Sequence, residues 1–223
     1  MLDGPRLAAK SGQAKQLVVF LHGYGADGND LIDIGEMWRD VLPDAAFVAP
    51  HAPEPCGMAP YGRQWFALTF RDPDERQTGV VAARPGLDVF LDAELARHGL
   101  DDAALALVGF SQGTMLALHV GLRRTRAPAA ILGYSGALVA PERLAEATAR
   151  DAKGAPPPVF LIHGEADSVV PVGATLAAAQ ALNAAGISTR SYISPSLDHG
   201  VDQDGLIFGA RFLAESFGLK PPQ

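Results

Sequence analysis

Leu105-Ala106-Leu107-Val108-Gly109-Phe110-Ser111-Gln112-Gly113 joins an apolar run to a serine bracketed by two glycines. Beyond it Met115, Leu116, Leu118, Val120 and Leu122 recur at helical spacing, so the segment reads as strand, sharp turn, helix. A turn that tight brings strand and helix nearly into contact, leaving room only for hydrogen at positions 109 and 113. It also lifts the Ser111 hydroxyl above the sheet edge in a strained conformation, the setting a nucleophilic serine requires. Ser111 as a plain helix cap would explain the serine but neither glycine.

The same alternation extends outward in both directions. Short apolar runs at 16–21, 45–49, 105–110, 130–134, 159–163 and 189–193 read as strands. Helical spacing appears at 29–41, 85–98, 112–123, 141–149, 172–185 and 202–217, with Pro85 and Pro141 each placed to open a helix. Strands that are apolar throughout must be covered on both faces. The expected fold class is therefore α/β, a mostly parallel central sheet with helices on both faces, in one domain over residues 1–223. Residues 50–76 form the longest stretch without periodicity. Long loops in compact domains are usually functional, and Met58, Trp65 and Phe66 are its candidates to wall a substrate pocket. A lid inserted after the strand at 130–134 would have only residues 135–158, most of them used by the next helix and a proline-dense stretch at 154–158. No large lid is expected.

Composition narrows the function. With 48% apolar residues the chain can bury a large core without staples, and its one cysteine, Cys56, excludes disulfide frameworks and cysteine-based metal modules. A net charge of −7 repels phosphate backbones and anionic lipid, so neither nucleic acid nor a membrane surface is an expected partner. No run approaches the ~20 apolar residues of a membrane span, and 17–21 is too short for a signal-peptide core. A cytoplasmic location is the expectation.

A serine needs a base to take its proton. Of six histidines, His98 and His119 lie in helix patterns, while His22 and His163 end strands and precede glycine, where an imidazole usually ties loops together. His199, in Leu197-Asp198-His199-Gly200, follows the last strand and so falls at the same carboxyl edge as Ser111. The base needs a carboxylate to fix its tautomer. His163-Gly164-Glu165-Ala166-Asp167 offers two, and Asp167, deeper in the loop, is preferred over a solvent-facing Glu165. The chain order Ser111, Asp167, His199 is that of α/β-hydrolases. At Leu21-His22-Gly23-Tyr24-Gly25 a strand ends in a glycine-rich turn, and the backbone N–H groups of Tyr24 and Gln112 are the natural pair for an oxyanion hole. A phosphate cradle is disfavoured by the missing Lys-Ser/Thr and by Asp27 and Asp30.

These four ordered motifs together resemble the phospholipase/carboxylesterase family of α/β-hydrolases, which includes the acyl-protein thioesterases; the resemblance runs from about residue 16 to 217. It implies a serine esterase with the triad Ser111, Asp167 and His199, an oxyanion hole at Tyr24 and Gln112, and no cofactor or metal. Thioesterase or lysophospholipase activity with the same machinery is the alternative, and a non-catalytic binding module is disfavoured because no triad member is missing. A dienelactone hydrolase would need cysteine at the elbow, and Cys56 lies elsewhere. Tyr24 stands where thioesterases usually carry Leu, and Gln64-Trp65-Phe66-Ala67 lacks the Asp that commonly follows Trp-Phe. The expected partner is a small-molecule or lipid-like ester of short to medium acyl chain, without stable membrane insertion; a homodimer is compatible with the sequence.

Overall fold

The computed structural model describes residues 2–57, 59–69, 72, 74–148 and 155–219. In chain order the elements are β1 (Arg6–Leu7), β2 (Gln16–Leu21), α1 (Asn29–Trp38), β3 (Ala45–Val48), β4 (Glu54–Pro55), β5 (Arg63–Gln64), α2 (Glu75–His98), β6 (Leu105–Phe110), α3 (Gln112–Gly121), β7 (Ala130–Tyr134), α4 (Leu144–Thr148), β8 (Val159–Gly164), α5 (Gly173–Ala184), β9 (Thr189–Ser194) and α6 (Gln203–Ser216). Seven strands form one sheet in the order β1-β3-β2-β6-β7-β8-β9. Every pairing is parallel except that of β1 with β3.

Strand periodicity explains why the core runs are apolar without interruption. In β2, Leu17, Val19 and Leu21 join the core under α2, α3, α4 and α5, whereas Val18 and Phe20 join the core under α1 and α6. β6 divides likewise, Leu105 and Leu107 to one side, Ala106 and Val108 to the other. Each large side chain so buried contributes about 1.5–3 kcal/mol. Tyr134, fully buried on β7, donates its hydroxyl to the Gly205 carbonyl at 3.0 Å and ties α6 to the sheet. No helix among the described residues is long and apolar enough to cross a membrane.

The six expected core strands are present. The helix expected at 85–98 instead begins at Glu75, ten residues earlier, with Pro85 inside it. Pro85 cannot bond the Val81 carbonyl, and Val81 is exposed at that turn, where water can take the acceptor. Gly79 and Val80 hold the added turns against the core: a Cβ on Gly79 would lie 2.3 Å from the Phe66 ring. The helix ends at Gly99, left-handed at φ 66°. The helix expected at 141–149 is a 3-10 turn, Pro141–Arg143, followed by α4, which buries Leu144 and Ala147; residues 149–154 lie outside the described residues. Within 50–76 the paired β4 and β5 form a short antiparallel ribbon.

Candidate active site

Ser111 leaves β6 with φ 53° and ψ −114°, a region that costs a side-chain-bearing residue energy. Its neighbours hold it there. Ser111 donates its N–H to the Tyr134 carbonyl at 2.9 Å, and Thr114 Oγ1 donates to the same oxygen at 2.8 Å. A Cβ on Gly113 would stand 1.8 Å from the Leu21 carbonyl oxygen, and one on Gly109 2.4 Å from Thr114 N, so both positions admit only hydrogen. The elbow is thereby pressed against the end of β2, which presents the Gly23-Tyr24 turn beside it.

That turn is fixed by His22, which is fully buried. His22 Nε2 accepts from Ala52 N at 3.0 Å, so Nδ1 carries the proton and donates to the Gly23 carbonyl at 2.8 Å. Burial pushes its pKa down, favouring this neutral form. The N–H groups of Tyr24 and Gln112 meet no acceptor among the described residues. The neighbouring Cys56, together with burial, pushes the pKa of the Tyr24 phenol up to about 12.

On the far side of Ser111, the loops after β8 and β9 bring Asp167 and His199 together. His199 Nδ1 donates to Asp167 Oδ2 at 2.7 Å. Asp167 Oδ1 accepts from Val169 N at 2.9 Å and Val170 N at 2.8 Å. The carboxyl is fully buried, which alone would raise its pKa; the bonds from His199, Val170 and Val169 outweigh burial and hold it below the usual carboxylate range. His163 Nε2 donates to the Val170 carbonyl at 2.8 Å and stands 3.1 Å from Asp167 Oδ2, while Nδ1 meets Thr175 Oγ1 at 2.7 Å. Asp198 Oδ1 accepts from the N–H groups of Ser168 and His199, each at 2.8 Å, and fixes the histidine's backbone. Glu165, exposed, accepts from Ser196 N at 3.2 Å.

Ser111 and His199 border one cavity of about 310 Å³, together with Gly23, Tyr24 and Gln112. Leu68, Phe110, Met115, Val169 and Val170 give it an apolar wall, and Arg76 completes it. No hydrogen bond joins Ser111 Oγ to His199 among the described residues; such bonds often tighten only when substrate binds. No group of three or more His, Cys, Asp or Glu could hold a metal among the described residues.

The expected pocket wall is placed differently. Trp65 and Phe66 are buried in the core at 2% and 4% exposure, and neither borders the cavity at Ser111. Their backbone is held by the Gln112 side chain, which accepts from Trp65 N at 3.0 Å and donates to the Phe66 carbonyl at 2.8 Å. Trp65 Nε1 in turn donates to the His22 carbonyl at 2.9 Å. Trp65 and Phe66 thus brace the elbow from behind, and Met58 lies outside the described residues. The wall residues missed from sequence include Val169 and Val170. An apolar pair two residues after the candidate acid was a signal for them; in the structure Val169 is 64% exposed.

A family model described as Phospholipase/Carboxylesterase matches residues 2–217. Esterase YpfH of Escherichia coli (strain K12) is 30% identical over 196 residues, 87% of this chain and 80% of that protein. Acyl-protein thioesterase 1 of Schizosaccharomyces pombe is 30% identical over 159 residues, 69% of each chain. The crystal structure of esterase PE8 superposes with a TM-score of 0.89 at 48% identity, covering 96% of this chain and 98% of that one.

Proposed function

The chain belongs to the phospholipase/carboxylesterase family of α/β-hydrolases and is a carboxylic ester hydrolase, and we propose that Ser111, Asp167 and His199 carry its reaction as nucleophile, orienting acid and general base. The observation that carries this reading is the 2.7 Å bond from His199 Nδ1 to a buried carboxylate, at a cavity that His199 shares with Ser111. The bond keeps the proton on Nδ1 and leaves the Nε2 lone pair for the serine.

Ser111 Oγ attacks the acyl carbon while its proton passes to His199 Nε2. The carbonyl oxygen becomes an oxyanion, met by the N–H groups of Tyr24 and Gln112. Collapse of the tetrahedral intermediate breaks the ester bond, and the imidazolium returns its proton to the departing alkoxide. Water then attacks the acyl-enzyme with His199 again as base, releasing the acid and restoring Ser111. The cavity is at the lower end of the roughly 300–1,000 Å³ usual for ligand sites, which supports short to medium acyl chains. We read the site as open, without a large lid.

Thioester cleavage is the second reading, favoured by the likeness to acyl-protein thioesterase 1. A panel of esters, thioesters and amides sharing one acyl group, with Ser111→Ala as the blank, tests both. Ester turnover lost in the blank supports the triad; turnover kept in the blank refutes it; a kcat/KM higher on thioesters than on esters decides for the second reading.

A further inference from the structure

We infer that Arg76 selects ester substrates carrying an anionic group, a carboxylate or phosphate, near the scissile bond; the inference rests on the Ser111 site proposed above. Arg76 stands in the first turn of α2 and borders the Ser111 cavity. Among the described residues it is the one lining residue there with a permanent charge. The rest of that lining is apolar side chains, polar neutral groups and the base His199.

Several arginines of this acidic chain are paired: Arg6 holds Asp3 and Glu94, Arg84 holds Asp88, and Arg190 holds Glu215. Arg76 has no ion pair and no hydrogen-bonded acceptor among the described residues. Neither Asp72 nor Glu75 borders the Ser111 cavity, although Glu75 is near enough to act on the Tyr24 phenol. Asp72 and Glu75 border the adjacent cavity together with Glu54, and Glu75 Oε2 accepts from Thr69 N and Thr69 Oγ1, each at 2.8 Å. An arginine offers planar paired donors that match carboxylate and phosphate geometry, and a partly enclosed, low-polarity wall strengthens such a bond. In a chain of net charge −7, this local positive charge also gives an incoming anion a defined destination.

The test uses the purified full chain and matched soluble esters in two arms. One arm compares a neutral butyrate ester with the succinate half-ester of the same alcohol, placing a carboxylate on the acyl side. The other compares acetates of a neutral phenol and of a phenol bearing a carboxylate or phosphate, placing the anion on the leaving group. For each arm the readout is the ratio of kcat/KM, anionic over neutral, in wild type, Arg76→Ala, Arg76→Lys and Arg76→Glu, all checked for unchanged thermal unfolding. The expected result is a ratio that falls five- to tenfold in Arg76→Ala and further in Arg76→Glu, is partly kept in Arg76→Lys, and converges among the four proteins at about 1 M salt. The fall should lie in KM, as for an interaction made equally in ground and transition states. The arm that responds identifies the side that carries the anion. Ratios unchanged in both arms overturn the inference while leaving the triad intact; full ester turnover in Ser111→Ala overturns the triad reading itself.

Discussion

Replacing Asp167 by asparagine changes one carboxylate oxygen to an amine, and the surrounding donors dictate which. Oδ1 already accepts from Val169 N and Val170 N, so an NH2 group there would set donors against donors. The amide oxygen must stay at the Oδ1 position and the NH2 must face His199 Nδ1 and His163 Nε2. His199 can meet an NH2 only by accepting at Nδ1, which moves its own proton to Nε2, the atom proposed to take the serine proton. Fixing the wrong tautomer costs about 10⁴ in kcat, or about 5.5 kcal/mol of barrier. Asp167 does not border the cavity, so KM should stay within a few-fold. Initial rates on a soluble chromogenic acetate, with circular dichroism to confirm folding, check this. A folded Asp167→Asn protein losing less than tenfold in kcat would refute the reasoning, as would a larger loss in Glu165→Gln, whose carboxylate touches no histidine.

Ser111→Ala and His199→Ala should each lower kcat by a factor on the order of 10⁶, and the double variant no further, as the proposed triad requires if it acts as a unit; additive losses in single-turnover measurements would argue against that. Gln112→Ala should leave Trp65 N–H and the Phe66 carbonyl buried without partners, lowering unfolding free energy by about 2–5 kcal/mol in urea titrations. His119, whose Nδ1 is buried without a partner among the described residues, has its pKa pushed down from 6.5 to about 4 by burial and by Arg123, Arg84 and Arg143. The unfolded chain therefore binds that proton first: the stability is whole above about pH 6.5 and falls by on the order of 3 kcal/mol toward pH 4. Urea titrations at both ends of this window should show a smaller acid loss in His119→Leu than in wild type.

What the sequence made legible followed from strong, local signals. Five strands were readable because both faces of the sheet are covered there, which forces continuous apolar runs such as Leu17 to Leu21, whereas the edge strand β9 is polar and largely unburied. A parallel sheet puts every carboxyl end on one edge, so Ser111, Asp167 and His199 could be grouped before any distance was known. Elements of two residues, such as β1, β4 and β5, carry no period and stay invisible. Pro85 misled because proline usually marks a first turn, and only tertiary packing of Gly79 against Phe66 extends α2 behind it. Trp65 and Phe66 looked like pocket walls because aromatic residues in a long loop suit either a site or a core. The choice is made by Gln112, whose side-chain amide gives no sign in the sequence of where it reaches. His163 was read as a loop-fixing residue, and it does bond the Val170 carbonyl; its additional contact with Asp167 depends on how the loop doubles back, which spacing does not reveal.

The Gln112 amide behaves as a borrowed peptide group, offering the 65–66 backbone the acceptor and donor that a neighbouring strand would otherwise supply. The chain that runs on from Phe66 to Leu68 and Arg76 therefore departs from a point anchored to the residue next to Ser111, the proposed nucleophile. Its length and composition can drift over generations while the reacting groups keep their places. A lineage built on this arrangement can exchange one diet of esters for another by rewriting a single surface segment, and selection can keep the chemistry while it experiments with taste.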